Sequence, residues 1–247
     1  TWENADTLLV ATDYGEGSMT ASGYPRIVKR WTRGTPLSAA KTLVEGEQAD
    51  VGINVFAFMD GDKRWTGISR NKSFYTNDYY LPHPATGDYR TTVIPDTADL
   101  RAVIDGQAII FLNDALGDFP AGSLLALPLD AMARGDQVAF VPVMTPTKAQ
   151  AIENVAASKH VLWVKALDDV EGKLFALRRD QPNGRWSQKE VPVTANATMG
   201  IAGTVDERDI AFVTAETMLM PPTLYAVGEA GAPQVVQSLP ATFDAKE

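Results

Sequence analysis

The stretch Gly15–Arg26, GEGSMTASGYPR, combines glycines, hydroxyl side chains and an arginine, as phosphate-binding loops and serine nucleophile loops do. A P-loop needs Gly-x-x-x-x-Gly-Lys-Ser/Thr, and a dinucleotide-binding turn needs Gly-x-Gly-x-x-Gly opening a helix. Gly15, Gly17 and Gly23 match neither spacing, and the following IVKRW is typical of a strand. We therefore predict a long loop between two strands of one sheet, in which the glycines take positive φ.

A serine nucleophile would need Gly-x-Ser-x-Gly and a histidine base. No serine has glycine at both flanking positions; Ser69 follows Gly67, but Asn71 stands on its other side. The two histidines are His83, between prolines in a predicted turn, and His160, at the start of a predicted strand. We expect no serine triad within the chain.

Metal and cofactor sites are not indicated either. The chain has no cysteine, so thiol catalysis and zinc–thiolate sites are excluded. The acidic segments at 60–62 (DGD) and 168–171 (DDVE) are typical of turns between strands, and the rest of a calcium loop is missing. We expect no metal and no cofactor. A glycosidase site would need converging carboxylates, and the sequence does not choose among the 31 acidic residues.

Composition limits the partners. The net charge is −9 with a pI of about 4.8, and the 22 basic residues are dispersed. Nucleic-acid binders carry a basic patch, so nucleic acid is not an expected partner. The longest apolar runs, such as 108–112, fall far short of the roughly 20 residues that span a bilayer, so a membrane is not an expected partner.

Repetition is the strongest structural signal. Each unit has an apolar strand, a turn, a second strand ending near a charge, and a third short strand. Comparable starts lie 57, 44, 52 and 49 residues apart, at Leu8, Trp65, Ile109, Val161 and Ile210. A further strand fits before four of these units, at 51–58, 99–105, 151–157 and 198–204.

Four strands in about 50 residues is the pattern of a β-propeller blade. We predict an all-β fold, a β-propeller of about five four-stranded blades, forming one domain over residues 1–247. The first unit lacks its opening strand, the segment 35–46 begins as a helical turn after Pro36, and 145–159 fits a helix or a strand. The aromatic residues are expected to pack between blades: Trp65, Trp163, Trp186, Phe111, Phe175, Phe212 and Tyr225.

The segment DTLLVATDYGEGSMTASGYPRIVKRWTRGTPL resembles the propeller region of bacterial prolyl oligopeptidase family serine peptidases. It matches a family pattern D-x-G-x-G-S-x-T-x-S-G-Y-P-R, from Asp13 to Arg26, followed by K-x-W-x-R-G-T-P-L. Later segments agree, so the resemblance runs along the whole chain: FYTNDYYL (74–81), PAGSLLALPLDA (120–131), PPTLYAV (221–227) and SLPATFDA (238–245).

The resemblance implies a seven-bladed propeller that caps an α/β-hydrolase domain and admits only small peptides. The chain would then be a propeller fragment, with the first blades and the covalently attached hydrolase domain outside it. The triad of the family matches no position here. The implied partners are that domain and a peptide substrate of the parent enzyme, in the bacterial cytoplasm or periplasm.

Two segments are candidates for loops at the propeller axis. The first is the Gly15–Arg26 loop, with Ser18, Thr20, Tyr24 and Arg26, and the second runs from Tyr79 to His83. Two other functions remain open at this point. One is a free-standing propeller that binds protein partners, and the other is a propeller glycosidase or lactonase with axial carboxylates.

Overall fold

The computed structural model describes residues 1–180, 184–228 and 232–241, and these residues form five antiparallel sheets. Sheet 1 has three strands: β1 (Thr7–Ala11), β2 (Ile27–Thr32) and β3 (Lys41–Glu45). Sheet 2 has four: β4 (Gly52–Asp60), β5 (Lys63–Asn71), β6 (Asn77–Pro82) and β7 (Tyr89–Thr91).

Sheets 3 to 5 repeat the four-stranded arrangement, with neighbouring strands in sequence order. Sheet 3 contains β8 (Ala98–Ile104), β9 (Gln107–Leu112), β10 (Leu124–Pro128) and β11 (Val141–Met144). Sheet 4 contains β12 (Gln150–Ala157), β13 (Leu162–Asp168), β14 (Glu171–Arg179) and β15 (Trp186–Glu190). Sheet 5 contains β16 (Thr198–Thr204), β17 (Ile210–Glu216), β18 (Thr223–Gly228) and β19 (Gln234–Ser238).

The sheets fan out from their first strands. In sheets 2 to 5, the first strand of each sheet contacts the first strand of the next, from β4 to β8, β12 and β16. These strands therefore form the inner edge, where a propeller has its axis. Three of these strands, β8, β12 and β16, carry a β-bulge at a comparable place. The bulges leave Arg101, Glu153 and Ala202 out of the pairing with the second strand. A bulge bends and twists its strand, as a converging edge requires.

Four hydrophobic clusters lie between successive sheets, because alternate residues of a strand point to opposite faces. In β13, Leu162 and Val164 pack towards sheet 3, whereas Trp163 packs towards sheet 5. Trp163 is fully buried, and its indole Nε1 donates to Ser158 Oγ at 3.0 Å. Each inner sheet is thus covered on both faces, which explains why apolar residues run consecutively in β9 and β13, at 108–112 and 162–164, rather than alternating with polar ones.

The connections alternate between two ends of the sheets. The β4–β5, β8–β9, β12–β13 and β16–β17 turns lie at one end, which we call the hairpin face. The β1–β2, β5–β6, β9–β10, β13–β14 and β17–β18 connections and the links between sheets lie at the other, which we call the loop face. Contacts between sheets confirm the alignment: His160 bonds to Asp105 and Asp209, each in the equivalent connection of a neighbouring sheet.

The predicted blades and their opening strands are confirmed, with sheet 1 lacking a named fourth strand. The extended residue Thr1 lies beside β1, and the Leu9 amide donates to its carbonyl at 2.9 Å. The turn after Pro36 is a 3-10 helix, Leu37–Ala39, and the ambiguous segment 145–159 contains the strand β12.

One helix was not predicted. The helix α1 (Leu129–Arg134) follows β10 and ends at Gly135, which has a φ of 81°. It buries Leu129, Met132 and Ala133 against the core between sheets 2 and 3. Its six residues are too few to show a helical period in the sequence. No helix among the described residues is long and apolar enough to cross a membrane.

Candidate functional site

The Gly15–Arg26 segment is a long loop on the loop face, between β1 and β2 of one sheet. Its three glycines have φ of 105°, 78° and 80°, so the predicted positive φ values are confirmed. The loop packs over the start of β4, where an added Cβ on Gly52 would lie 2.8 Å from Tyr24 Cβ. Glycine is therefore needed at position 52 for the close approach of the loop.

The hydroxyl of Ser18 is used inside this loop. Ser18 Oγ lies 2.9 Å from Asp13 Oδ1 and 2.6 Å from the Gly15 carbonyl, and it accepts from the Tyr14 amide at 2.8 Å. The Gly15 amide and then Ser18 lower the pKa of Asp13 below its ordinary value. Ser18 is buried, so its hydroxyl shapes the loop rather than meeting solvent.

The side chains of Thr20 and Arg26 also form hydrogen bonds within the loop and to the residues beside it. Thr20 Oγ1 donates to the Val51 carbonyl at 3.3 Å and accepts from the Tyr24 amide at 3.2 Å. Arg26 donates to the carbonyls of Gly17 and Gly46 at 2.6 and 2.8 Å, and to Glu45 at 2.7 Å. Among the candidates in this loop, Tyr24 is the side chain that reaches solvent, with 58% of its surface exposed.

The second candidate segment is split between the two faces. Tyr79, near the loop-face end of β6, is buried, and its Oη accepts from the Leu100 amide at 3.2 Å. Burial raises the pKa of Tyr79. His83 follows β6 on the hairpin face, where its Nδ1 accepts from the Ala85 amide at 3.3 Å. Tyr79 therefore joins sheets 2 and 3, while His83 borders an open cleft with Lys63 and Arg64.

The other histidine lies in a network between sheets on the hairpin face. His160 Nδ1 lies 2.8 Å from Asp105 Oδ1, and its amide donates to Asp209 at 2.6 Å. Burial raises the pKa of Asp209, but the hydrogen bonds from Arg178 and the His160 amide outweigh it and hold the pKa below its ordinary value. No hydrogen bond joins His160 to a serine in the described chain, so this His–Asp pair has no nucleophile.

The carboxylates of the inner strands are all partnered. Asp60 accepts from the Gly106 amide at 2.8 Å, Asp99 pairs with Arg101 at 2.8 Å, and Glu153 pairs with Lys165. Burial lowers the pKa of Lys165. Within residues 1–180, 184–228 and 232–241, no group of three acidic or histidine side chains is placed to hold a metal ion.

The loop face carries a feature that the sequence analysis missed. Exposed large apolar side chains concentrate there, in loops of four different sheets: Tyr24, Phe74, Tyr75, Val170, Met218, Leu219 and Leu239. The adjacent apolar pairs Phe74–Tyr75 and Met218–Leu219, which lie in connections between strands, were the available signal, because such residues are ordinarily polar or glycine.

The model for the prolyl oligopeptidase N-terminal β-propeller domain matches residues 1–235. The chain belongs to this family. Uncharacterized peptidase y4nA of Sinorhizobium fredii is 29% identical over 259 residues, which cover 99% of this chain and 35% of that protein. Uncharacterized peptidase RP174 of Rickettsia prowazekii is 23% identical and is covered to the same 35%.

Solved structures share this propeller fold. A post-proline cleaving enzyme from Rickettsia typhi superposes with a TM-score of 0.86 at 22% identity, over 100% of this chain and 37% of that one. Oligopeptidase B from Leishmania major gives a TM-score of 0.74 at 14% identity, over 99% of this chain and 34% of that one. The prolyl oligopeptidase propeller described here thus spans about a third of the length of the relatives it matches.

Proposed function

We propose that this propeller is the non-catalytic part of a serine oligopeptidase that hydrolyses short peptides, and that it restricts access to an attached α/β-hydrolase domain. Membership of the peptidase family supports the parent activity. The observation that carries the proposed arrangement is the concentration of exposed apolar side chains on the loop face. Exposed apolar surface of this kind marks an interaction site, so we assign the loop face to the hydrolase domain and to the peptide that reaches it.

The strongest part of that surface lies on sheet 5. Met218 and Leu219, in the β17–β18 loop, are 92% and 65% exposed. They line a groove with Pro221, Pro222, Leu239 and Pro240, which we call the Met218 patch. Eight of its ten lining residues are apolar, with Glu216 and Thr217 as the exceptions, and the buried centre of a lasting interface is likewise poor in charge. The Met218 patch therefore fits a persistent contact with a neighbouring domain.

The outer sheets support the proposal that the parent propeller is larger. On sheet 5, Phe212 and Leu224 face away from sheet 4 and are only partly buried. On sheet 1, Leu8 and Val10 face away from sheet 2 and are also only partly buried. In sheets 2 to 4, the residues that face a neighbouring sheet in the same way lie in the hydrophobic clusters between sheets. Further blades on these two faces would bury the same kind of surface.

The candidate binding residues take different parts in this proposal. Tyr24 is the loop residue positioned to contact a peptide, while Ser18, Thr20 and Arg26 hold the loop in shape. Tyr79 fixes the loop-face end of β6 against β8, and His83 would meet a peptide that enters from the hairpin face. Exposure and hydrogen bonding support these assignments.

The proposal is tested with the full-length gene product. We expect it to hydrolyse short peptides, and we expect a serine-reactive phosphonate to abolish the activity. The isolated 247-residue chain should hydrolyse none of them. Peptidase activity in the isolated chain, or a full-length product that the phosphonate does not inhibit, would overturn the proposal.

Restricted access has its own test in the full-length protein. The double substitution M218S and L219S weakens the contact across the loop face, so hydrolysis of longer polypeptides should rise relative to that of short peptides. The matched control is L37S, on the exposed 3-10 helix of the hairpin face. An unchanged ratio in the double variant would contradict the role of the loop face in gating.

The alternative of a free-standing binding module is favoured by one observation, because the Met218 patch would suit a separate protein as well. In the peptidase proposal, the partner that covers the Met218 patch is a domain of the same chain. In the binding-module alternative, the partner is a separate protein. A full-length product without peptidase activity that forms a stable complex with a separate protein would establish the binding module. The glycosidase or lactonase alternative receives no comparable support, since the inner-strand carboxylates are partnered.

A further inference from the structure

A cleft on the loop face between sheets 2 and 3 differs in character from the Met218 patch. It has a volume of about 530 Å³ and is lined by two aromatic residues, three acidic or hydroxyl side chains and two amides: Phe74, Tyr75, Asn77, Thr97, Asp99, Asn113 and Asp114. Asp99 lies at the start of the inner strand β8 and Thr97 directly precedes that strand, so the cleft opens beside the axis.

The aromatic pair is the first observation that points to a ligand. Phe74 and Tyr75 are 87% and 83% exposed, although both lie in a well-defined turn. That turn is held by hydrogen bonds between Ser73 and Thr76, at 2.8 Å between the hydroxyls, and from the Lys72 amide to the Thr76 carbonyl at 2.9 Å. The hydrogen-bonded backbone of the turn thus holds the two rings in an exposed position.

Charge is the second, independent observation. Asp99 is neutralised by Arg101 at 2.8 Å, and Lys72 is paired with Asp78 and Asp96 at 2.9 and 3.0 Å. Asp114 is exposed and forms no ion pair within the described part of the chain. The cleft therefore keeps one carboxylate without an ion pair and is also lined by two exposed aromatic rings, and a cation is the chemical group that both features attract.

Next to the cleft, a carboxylate and an aromatic ring together hold a cationic side chain. The guanidinium of Arg101 lies 5.2 Å from the centre of the Phe111 ring while it pairs with Asp99. One carboxylate and one aromatic face therefore hold a cationic side chain at this edge of sheet 3. Asp114 with Phe74 and Tyr75 offers a second such set that no residue of the described chain fills.

We propose that this cleft binds a lysine or arginine side chain of the peptide substrate and makes the parent enzyme favour cationic peptides. The inference rests on the proposed peptidase function. A peptide is favoured over the hydrolase domain as occupant because the buried centres of lasting interfaces are depleted of aspartate, whereas this cleft is lined mainly by polar groups. The position beside the axis also places it where a peptide would pass.

The test uses the full-length protein and pairs of fluorogenic peptides that differ only by one lysine replaced with glutamine. We expect D114N to lower kcat/KM for the lysine peptides by about five-fold, the size of an exposed charge pair with a cation–π contact. The glutamine peptides should change less than about two-fold, and 0.5 M NaCl should reduce the difference, because salt screens exposed charges. F74A should act in the same direction.

The matched control is D118N, in the same β9–β10 loop but outside the cleft. It should leave both peptides unchanged. An equal fall for both peptides in D114N would mean that the cleft contacts the attached domain, and no fall for either would mean that it contacts nothing; both results overturn the inference. Hydrolysis of the glutamine peptide by the unsubstituted protein reports the proposed function separately, and peptide binding measured by fluorescence anisotropy tests the cleft even without hydrolysis.

Discussion

The two ends of the propeller differ in what their side chains do. On the hairpin face, polar side-chain contacts join neighbouring sheets: Lys63 with Asp130, His160 with Asp105, and Arg178 with Asp209, at 3.0, 2.8 and 2.7 Å. On the loop face, ion pairs hold loops and connections in place, and apolar side chains are exposed. One end thus holds neighbouring sheets together, while the other carries the exposed apolar surface that we propose is covered in the full-length protein.

The largest expected effect comes from breaking the hairpin-face network. D209A removes the acceptor of both Arg178 and the His160 amide, which join sheets 4 and 5. Loss of charge-assisted hydrogen bonds at a half-buried site should lower the free energy of unfolding by about 2 kcal/mol. Urea unfolding measures this value.

The control for that experiment is D206A, in the same β16–β17 turn, where the aspartate is exposed and makes no ion pair in the described chain. Its free energy of unfolding should stay within about 0.5 kcal/mol of the unsubstituted protein. Equal losses in the two variants would show that the hairpin face does not hold the sheets together as described.

A smaller effect is expected at Asp50, in the connection between sheets 1 and 2 on the loop face. Burial raises the pKa of Asp50, but hydrogen bonds from Arg70 at 2.7 and 3.1 Å and from the Glu47 amide at 2.7 Å outweigh it and lower the pKa. A carboxyl whose pKa is lowered on folding stabilises the protein above its unfolded pKa, and this contribution is lost as the pH falls through the folded pKa.

The substitution D50N should therefore lower the Tm at neutral pH, by an amount equivalent to about 1 kcal/mol. The difference from the unsubstituted protein should shrink below pH of about 4. Thermal unfolding from pH 3 to 7 measures both effects. A Tm difference that stays constant over this range would mean that the charge of Asp50 makes no contribution.

The smallest expected effect on stability is at the Met218 patch, on the loop face. M218S with L219S alters side chains that pack against little within the propeller, so the free energy of unfolding of the propeller should change by less than about 0.5 kcal/mol. Hydrolysis of long polypeptides by the full-length protein should nevertheless rise. A large loss of propeller stability would show that the Met218 patch belongs to the fold and not to an interface.

Much of the fold follows from the sequence because the strands repeat. Apolar runs such as Ile109–Leu112 and Val161–Val164 indicate buried strands, and the repeat distance then indicates blades. The helix α1 is missed because it is shorter than two helical turns. The segment SLPATFDA (238–245), which carries part of the family resemblance, lies partly outside the described residues, which end at 241.

The candidate site is harder to predict because residue type does not indicate what a hydroxyl bonds to. Ser18 and Thr20 have the chemistry of a binding loop, yet backbone groups four residues away or across a connection use their hydroxyls. Tyr79 and His83 are four residues apart, which in a strand places them near opposite ends of the sheet. The loop-face surface forms only when loops distant in sequence meet at one end.

The central claim is that the loop face is covered in the full-length protein, and methionine oxidation tests it directly. Met218 lies on the loop face with 92% of its surface exposed, and Met59 lies near the hairpin face with 37% exposed. Mild peroxide treatment followed by mass spectrometry gives both rates in one sample. The account predicts slower oxidation of Met218 than of Met59 in the full-length protein. Faster oxidation of Met218, as the exposures of the propeller alone require, would contradict it.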